Sequence, residues 1–566
     1  IGSGGAGRSR SACRSRVSVN GNGARGGLIG LRSFKAGWFP RRGERLLPAL
    51  SAVLLALSFP PLHPLILPFV GLVPLALWIH GLPKGPEGRR AAQRGGLVFG
   101  TIYFGSVFYW LLVALIWFTG LALPAYLAAL ALIVSIAAVF MGLLHRTLTD
   151  ARIPLWIALP VVWTALEWTR AHLPSTLAFP WLGLGTSLTG FPELVGVAEL
   201  VGARGVTFWI ALVNGILATA LLRVREGLDW RRPAFATVVV LAVPMAWGVW
   251  RANTIEMRPA GRVAVVQPNI AEHLKLEAEV GLDSTFAALD RLMVDIEPGS
   301  ASLVVLPEMA LPIAPKAPAY GGEVRDLQQY SREVGAPIIF GAYGFVERDD
   351  GGATPYNSAF MVNPQGLTDF QYDKHHLVPV VERVPFVPMS LFRGFPFFGE
   401  YGVGEGWPLA LVDETAYGVL ICYESVFPEA SRAFRRAGAD VLINITNDAW
   451  YGREPLYSRT TALWQHPAHM VMRAIENRTG VARSANTGIS LFIDPVGRVH
   501  RATRLFEEDV AIEEIVTTDV LTFYTRYGDL LGQASAALTL LVALWGIAES
   551  RRHKQSLSLD RPSQVV

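Results

Sequence analysis

The 566-residue chain sets 50 Lys and Arg against 46 Asp and Glu, a formal net charge of +4, and gathers no basic patch interleaved with aromatics, which excludes nucleic acid as a partner. It is 51% apolar and only 17% charged, with a mean hydropathy of +0.34. That is too apolar for an ordinary soluble enzyme and points to a membrane protein carrying a polar domain. With two cysteines, Cys13 and Cys422, a disulfide framework is not expected, and Cys422 reads as a free thiol.

Residues 1–45, rich in Gly, Ser and Arg, read as a disordered cytoplasmic leader. Residues 46–250 read as an α-helical membrane bundle of seven spans, near 46–61, 63–80, 96–118, 121–144, 154–170, 203–222 and 234–250. An eighth span is expected at 529–548, followed by a cytoplasmic tail, 549–566. Cations cluster in alternate connections: Arg41, Arg42 and Arg45, then Lys84, Arg89, Arg90 and Arg94, then Arg146 and Arg152, then Arg223, Arg225, Arg231 and Arg232, and finally Arg551, Arg552 and Lys554. Cations stay preferentially on the cytoplasmic side, so both termini are expected there and residues 251–528 outside the cytoplasmic membrane. Within the bundle, Glu167 and Arg170 either serve function or orient their helix. The loop Phe179-Pro180-Trp181-Leu182-Gly183 reads as an interfacial belt or as the floor of a lipid site.

From Gly261 the texture changes to short β-branched strands alternating with amphipathic helices, the pattern of an α/β domain. Strands are predicted at 262–267, 302–307, 337–346, 358–363, 369–374, 417–422, 441–446, 479–485 and 490–494, and helices at 279–295, 322–334, 428–437 and 457–477. No glycine-rich phosphate loop follows any strand. His466 and His469 would share a helix face, but no third metal ligand is found, so no metal is expected. The chemistry lies at strand ends. Leu303–Pro307 delivers Glu308, Tyr372-Asp373 delivers Lys374, and Gly418–Ile421 delivers Cys422 at a strand-to-helix elbow, a setting that favours a thiolate. Singly, each has a bland reading: a helix cap, an edge charge, a core thiol. Three such groups ending apolar runs in one domain are harder to dismiss.

The order Glu, Lys, Cys in the contexts Leu306-Pro307-Glu308, Tyr372-Asp373-Lys374-His375-His376-Leu377-Val378-Pro379 and Ile421-Cys422-Tyr423-Glu424 resembles the nitrilase (carbon–nitrogen hydrolase) superfamily. With many spans before it and one after, residues 46–548 resemble the bacterial apolipoprotein N-acyltransferases. Gln267-Pro268-Asn269-Ile270, Tyr356-Asn357-Ser358 and Asn447–Gly452 add to the likeness. The resemblance implies an extracytoplasmic αββα sandwich after the bundle, with Cys422 as nucleophile, Glu308 as general base and acid, and Lys374 as oxyanion stabiliser. Glu382, Tyr423, Glu424 and Asn357 would support them. Trp181, Trp450 and Tyr451 are candidate lipid contacts, and Trp450, Tyr451 and the segment Phe386–Phe398 candidate lids. The family often has tryptophan where this chain has Lys275-Leu276, so that contact cannot be carried over. The implied partners are a phospholipid acyl donor, a diacylglyceryl apolipoprotein acceptor and the bilayer of the inner membrane, with no cofactor and a monomeric enzyme. Rival readings are a membrane-tethered nitrilase-type amidase and a non-catalytic scaffold or transporter.

Overall fold

A computed structural model of the chain describes residues 42–116, 120–275, 278–347, 352–383 and 401–559. The leader up to residue 41, Leu276 and the segment Phe386–Phe398 lie outside the described residues. The apolar runs before residue 251 fold as helices. Four helices of the described residues are long and apolar enough to cross a bilayer: Ala122–Thr149, Ala198–Arg225, Arg231–Thr254 and Leu530–Glu549. The pair Pro86–Val107 and Trp110–Ile116, bent by 55°, makes a fifth if read as one span.

The remaining predicted spans are helical but short. Residues 46–61 yield only Leu46–Ala56, 63–80 breaks into Leu67–Val70 and Val73–His80, and 154–170 gives the 17-residue helix Leu155–Ala171. Prolines explain the first two, because each removes a backbone donor and disfavours helical geometry in the residue before it. The broken segment keeps its backbone satisfied through Asn214, buried on the long helix Ala198–Arg225. Its Oδ1 accepts from Leu72 N at 2.9 Å and its Nδ2 donates to Pro68 O at 2.9 Å. Non-helical backbone at membrane depth is tolerated where protein groups supply such partners. Another boundary moves the other way. The helix expected from residue 96 starts ten residues earlier, after Gly85 (φ +81°) and with Pro86 at its first position, so Arg89, Arg90 and Arg94 lie on helix rather than loop. Arg94 is buried against Glu44.

Residues 258–517 form two six-stranded sheets. In the first, the strand order is β12-β1-β2-β3-β4-β5, with β1 (Arg258–Gln267), β2 (Leu303–Val305), β3 (Ile338–Glu347), β4 (Ala353–Asn363), β5 (Gly366–Asp373) and β12 (Asp509–Thr517). The second has the order β11-β10-β9-β8-β7-β6, with β6 (Ala410–Val412), β7 (Thr415–Ile421), β8 (Val441–Thr446), β9 (Gly480–Ala485), β10 (Leu491–Ile493) and β11 (Val499–His500). Strands β1, β2 and β3 run parallel, as do β7, β8 and β9. Alternation sorts the first sheet's side chains into two cores. Val263, Val265, Leu303, Val305 and Ile339 pack in the same core as Val419, Ile421 and Ile443 of the second sheet. Ala264, Val266, Val304, Ile338 and Phe340 instead share a core with Leu289 and Leu292 of the helix Ala278–Met293 and Leu327 and Val334 of the helix Gly321–Val334. Burial on both faces is why these strands read as unbroken apolar runs. The strand β12 is not among the predicted ones. Its sequence, Asp509-Val510-Ala511-Ile512-Glu513-Glu514-Ile515-Val516-Thr517, is mostly only partly buried and carries three acidic residues, as suits an edge strand, and antiparallel pairing with β1 defines it.

Candidate active site

The three strand ends converge. Lys374 follows β5 and is wholly buried, and its backbone N donates to Asn357 O at 2.9 Å. Its Nζ donates to Glu308 Oε1 at 3.2 Å and to Glu382 Oε1 at 2.9 Å. Asn357, on β4, donates through Nδ2 to the same two oxygens, each at 2.8 Å. Glu308 Oε2 accepts from Asn447 N at 2.9 Å, and Glu382 Oε2 accepts from Val378 N at 2.7 Å. The Cys422 thiol is buried close enough for the Glu308 and Lys374 charges to act on it. Glu308, Lys374, Cys422, Glu382 and Asn357 therefore form one buried cluster at the ends of β2, β5 and β7.

Cys422 sits at the end of β7 with φ +50°, and Met309, just after Glu308, has φ +47°. A non-glycine residue there costs about 1–2 kcal/mol and persists only where neighbours hold it. One grip on the elbow is Glu424. Its Oε2 accepts from Ile421 N at 2.8 Å, while Oε1 accepts from Tyr372 Oη at 2.8 Å, His375 N at 2.8 Å and His376 N at 3.2 Å. The same carboxyl thus ties the cysteine's turn to the strand end that carries Lys374. Burial pushes it up to about 7, opposed by the Ile421 N–H, the Lys374 charge, the Tyr372 hydroxyl and the His375 N–H. Glu424→Gln presents an amide donor to at least one of these buried N–H groups, and leaving a buried donor unsatisfied costs about 1–3 kcal/mol. A loss of that size in the unfolding free energy of the detergent-solubilised chain is expected.

The charges settle into a defined pattern. Burial alone raises the Glu308 carboxyl, but the Lys374 ammonium, the Asn357 amide and the Asn447 N–H outweigh it and hold Glu308 below its ordinary value. Burial opposes the Lys374 ammonium, and the Glu382 and Glu308 carboxylates more than offset this, so Lys374 lies above its ordinary value. The expectation of a resting thiolate is overturned. Burial and then the Glu308 charge push the Cys422 thiol well up, and the opposing pull of Lys374 is too small to reverse them. The resting site is therefore a neutral thiol beside an ionised carboxylate and an ammonium, the state in which a general base has a proton to take.

The other predicted residues surround this cluster. Tyr423 donates through its hydroxyl to Ala178 O at 3.1 Å, in the loop that follows the helix Leu155–Ala171. Trp181 is wholly buried, its Nε1 donating to Gln465 Oε1 at 3.0 Å. Its ring lies 4.5 Å from Trp110 and 5.8 Å from Tyr451. Tyr451 is buried and Trp450 partly so, both on the short turn Asp448–Tyr451. Glu167 and Arg170 brace the aromatic loop rather than each other. Arg170 donates to Trp181 O at 2.6 Å and Leu182 O at 3.2 Å, and Glu167 Oε1 accepts from Leu184 N at 2.8 Å. Residues that sequence reasoning missed here are Gln465, which holds Trp181, and the backbone N–H of Asn447, which faces Glu308. Neither carries a local signal, since the partners are 284 and 139 residues away.

Comparison with known proteins agrees with this architecture. The carbon-nitrogen hydrolase family matches residues 262–522, and the apolipoprotein N-acyltransferase N-terminal domain matches residues 51–216. The apolipoprotein N-acyltransferase of Geobacter metallireducens is 34% identical over 534 residues, covering 91% of this chain and 97% of its own. That of Chlorobaculum tepidum is 28% identical over 541 residues, covering 89% of this chain and 97% of its own. Among solved structures, a CN-hydrolase superfamily protein from Xanthomonas campestris aligns with a TM-score of 0.32 and 20% identity, over 45% of this chain and 90% of that one. With helices of membrane-spanning length before and after an α/β domain, and with a relative of this identity matched almost end to end, the chain belongs to the apolipoprotein N-acyltransferase family and is an acyltransferase.

Proposed function

We propose that this enzyme transfers an acyl chain from a membrane phospholipid to the α-amine of a diacylglyceryl-cysteine apolipoprotein, by a ping-pong route through a thioester on Cys422. The observation that carries the reading is the buried Lys374 ammonium bridging Glu308 and Glu382, with the Glu308 and Lys374 charges both acting on the Cys422 thiol. Glu308 takes the thiol proton as Sγ attacks the ester carbonyl, and the oxyanion of the tetrahedral intermediate is met by Lys374. Collapse breaks the ester C–O bond, and Glu308 returns the proton to the departing lysophospholipid oxygen. The acceptor amine then attacks the thioester carbonyl. Glu308 takes the amine's proton and passes it to the departing thiolate, leaving an amide and the starting enzyme. Glu382 and Asn357 hold Lys374 and Glu308 in register throughout.

The family relationship and the helices support a bilayer setting, and the cation pattern supports an orientation. On this reading residues 46–250 form a seven-span bundle, 251–528 the catalytic domain outside the cytoplasmic membrane, and 529–548 the eighth span, the shorter helices crossing as broken segments. Both substrates are lipid-anchored, and drawing either from the bilayer costs about 0.8 kcal/mol per CH₂, which gives a catalytic domain reason to be built onto a bundle. Tyr451 packs edge-on against Trp110 at 5.1 Å, at the break between the helices Pro86–Val107 and Trp110–Ile116. Trp450 and Tyr451 act there as a lid that keeps water from the thioester. Incubation of the purified chain with phospholipid alone is expected to add one acyl group in place of the Cys422 thiol hydrogen, read by intact and peptide mass spectrometry. An unmodified Cys422 under these conditions defeats the proposal.

A further inference from the structure

Behind the nucleophile lies a chain of polar groups that the proposed chemistry does not use. Ser425, His466, Asp448 and Arg483 are all wholly buried. The ring of His466, on the helix Ala462–Asn477, places Nδ1 2.8 Å from Asp448 Oδ1. Its Nε2 lies 2.9 Å from Ser425 Oγ and 3.1 Å from the carbonyl oxygen of Cys422 itself. Asp448 is fixed in turn, with Oδ1 accepting from Thr446 Oγ1 at 3.0 Å and Oδ2 from Arg483 Nη2 at 2.6 Å. Arg483, on β9, also donates to Asn444 on β8. The ring's faces are occupied as well: Trp181 stacks on it at 5.2 Å and 28°, and Tyr451 meets it edge-on at 5.7 Å and 85°.

The order Ser, His, Asp matches that of a hydrolytic triad. Ser425, however, is wholly buried and its hydroxyl is taken up by His466 Nε2. The chain instead ends on the backbone of the residue that carries the reacting sulfur. We infer that His466 is a positioning residue: anchored through its Nδ1–H on Asp448, it accepts the Ser425 hydroxyl's hydrogen bond at Nε2 and packs against the Cys422 carbonyl, and so sets where the Cys422 sulfur points. Glu424 holds the residue before Cys422, and His466 holds Cys422 and the turn after it, so the strained elbow is clamped from both sides. Because the ring also contacts Trp181 of the bundle loop and Tyr451 of the lid turn, the clamp joins the membrane half to the nucleophile's backbone. A displacement near 1 Å at a reacting atom costs about 10²-fold in rate, so such a clamp acts on the acylation step itself.

The inference rests on the reading of Cys422 as the acylated residue, and the test separates the two. Single-turnover thioester formation is followed by intact mass spectrometry on the full-length chain in detergent with phospholipid. His466→Asn puts an amide nitrogen where Nδ1 lies, within reach of Asp448 but not of the elbow. His466→Gln puts its terminal amide where Nε2 lies and can still bond the Ser425 hydroxyl. Thioester formation is expected to slow by about 10²-fold in His466→Asn and to stay within about tenfold of wild type in His466→Gln, with the donor KM unchanged in both. Wild-type acylation in His466→Asn, or equal losses in the two variants, overturns the inference. Absence of an adduct in the wild type instead overturns the thioester reading. Should His466→Asn not accumulate as folded protein, Ser425→Ala removes a single oxygen from the clamp. Acylation about threefold or more slower then supports the role, and an unchanged rate refutes it.

Discussion

Replacing Cys422 by alanine is expected to remove the acyl adduct entirely and to lower N-acylation on the order of 10⁶-fold, the scale seen when a covalent nucleophile is deleted from an intact site. The fold is expected to survive. The side chain is a small, neutral, buried thiol, and the elbow is held by backbone contacts from Glu424 and His466 that alanine keeps. Unfolding of the variant in detergent is therefore expected within a few degrees of wild type, so that activity and stability separate. A Cys422→Ala enzyme that still acylates apolipoprotein at an appreciable rate is incompatible with the thioester route. Such an enzyme would point to direct transfer from phospholipid to amine on the same scaffold.

Lys374→Met is expected to damage rate and stability together. The ammonium is the one cation in contact with Glu308 and Glu382 among the described residues, and both carboxyls are buried within 3.2 Å of it. Removing one partner of a buried ion pair costs about 3–5 kcal/mol, because the remaining charges have no compensation. Loss of the oxyanion's positive partner costs a further 10²- to 10³-fold, roughly, in the acylation rate. The pH dependence follows from the shifts. In the wild type Glu308 is held below its ordinary value of 4.5 and Lys374 above its ordinary value of 10.5. The Glu308 contribution to stability is thus present above about pH 4.5 and is lost as pH falls through the lower native value. The Lys374 contribution is present below about pH 10.5 and is lost only as pH rises through its higher native value. Between those limits the Glu308–Lys374 pair should add a constant amount. In Lys374→Met Glu308 loses the charge that held it down, burial then favours its protonated form, and the variant is expected to regain stability as pH is lowered toward 5. A variant whose denaturation midpoint shows the same pH profile as wild type contradicts this account.

The parts of this protein that a reader of the sequence can find are those whose physics is local. Bilayer spans show as long apolar runs, because every residue of a span meets lipid or another apolar face, although the prolines at 60, 61, 64, 68 and 74 hide how short the first helices are. Buried parallel strands show as β-branched runs, and a charged or reactive residue that ends such a run stands out: this is how Glu308, Lys374 and Cys422 are found. The edge strand β12 escapes because its alternation is diluted by Asp509, Glu513 and Glu514, and its partner β1 lies some 250 residues earlier. His466 is visible only as one of two histidines on a helix face, since the groups that give it meaning, Cys422 and Asp448, lie 44 and 18 residues away on other elements.

Residue type and local context alone determined which elements exist and which side chains end them, and so the class of reaction this chain is equipped for. Only the tertiary structure decided how those side chains are charged. Local context argued for a thiolate at Cys422, whereas the folded site holds a neutral thiol, because desolvation and the Glu308 carboxylate together outweigh one ammonium. Protonation depends on the sum of burial and every nearby charge, and those charges come from strands that meet only once the sheets have formed.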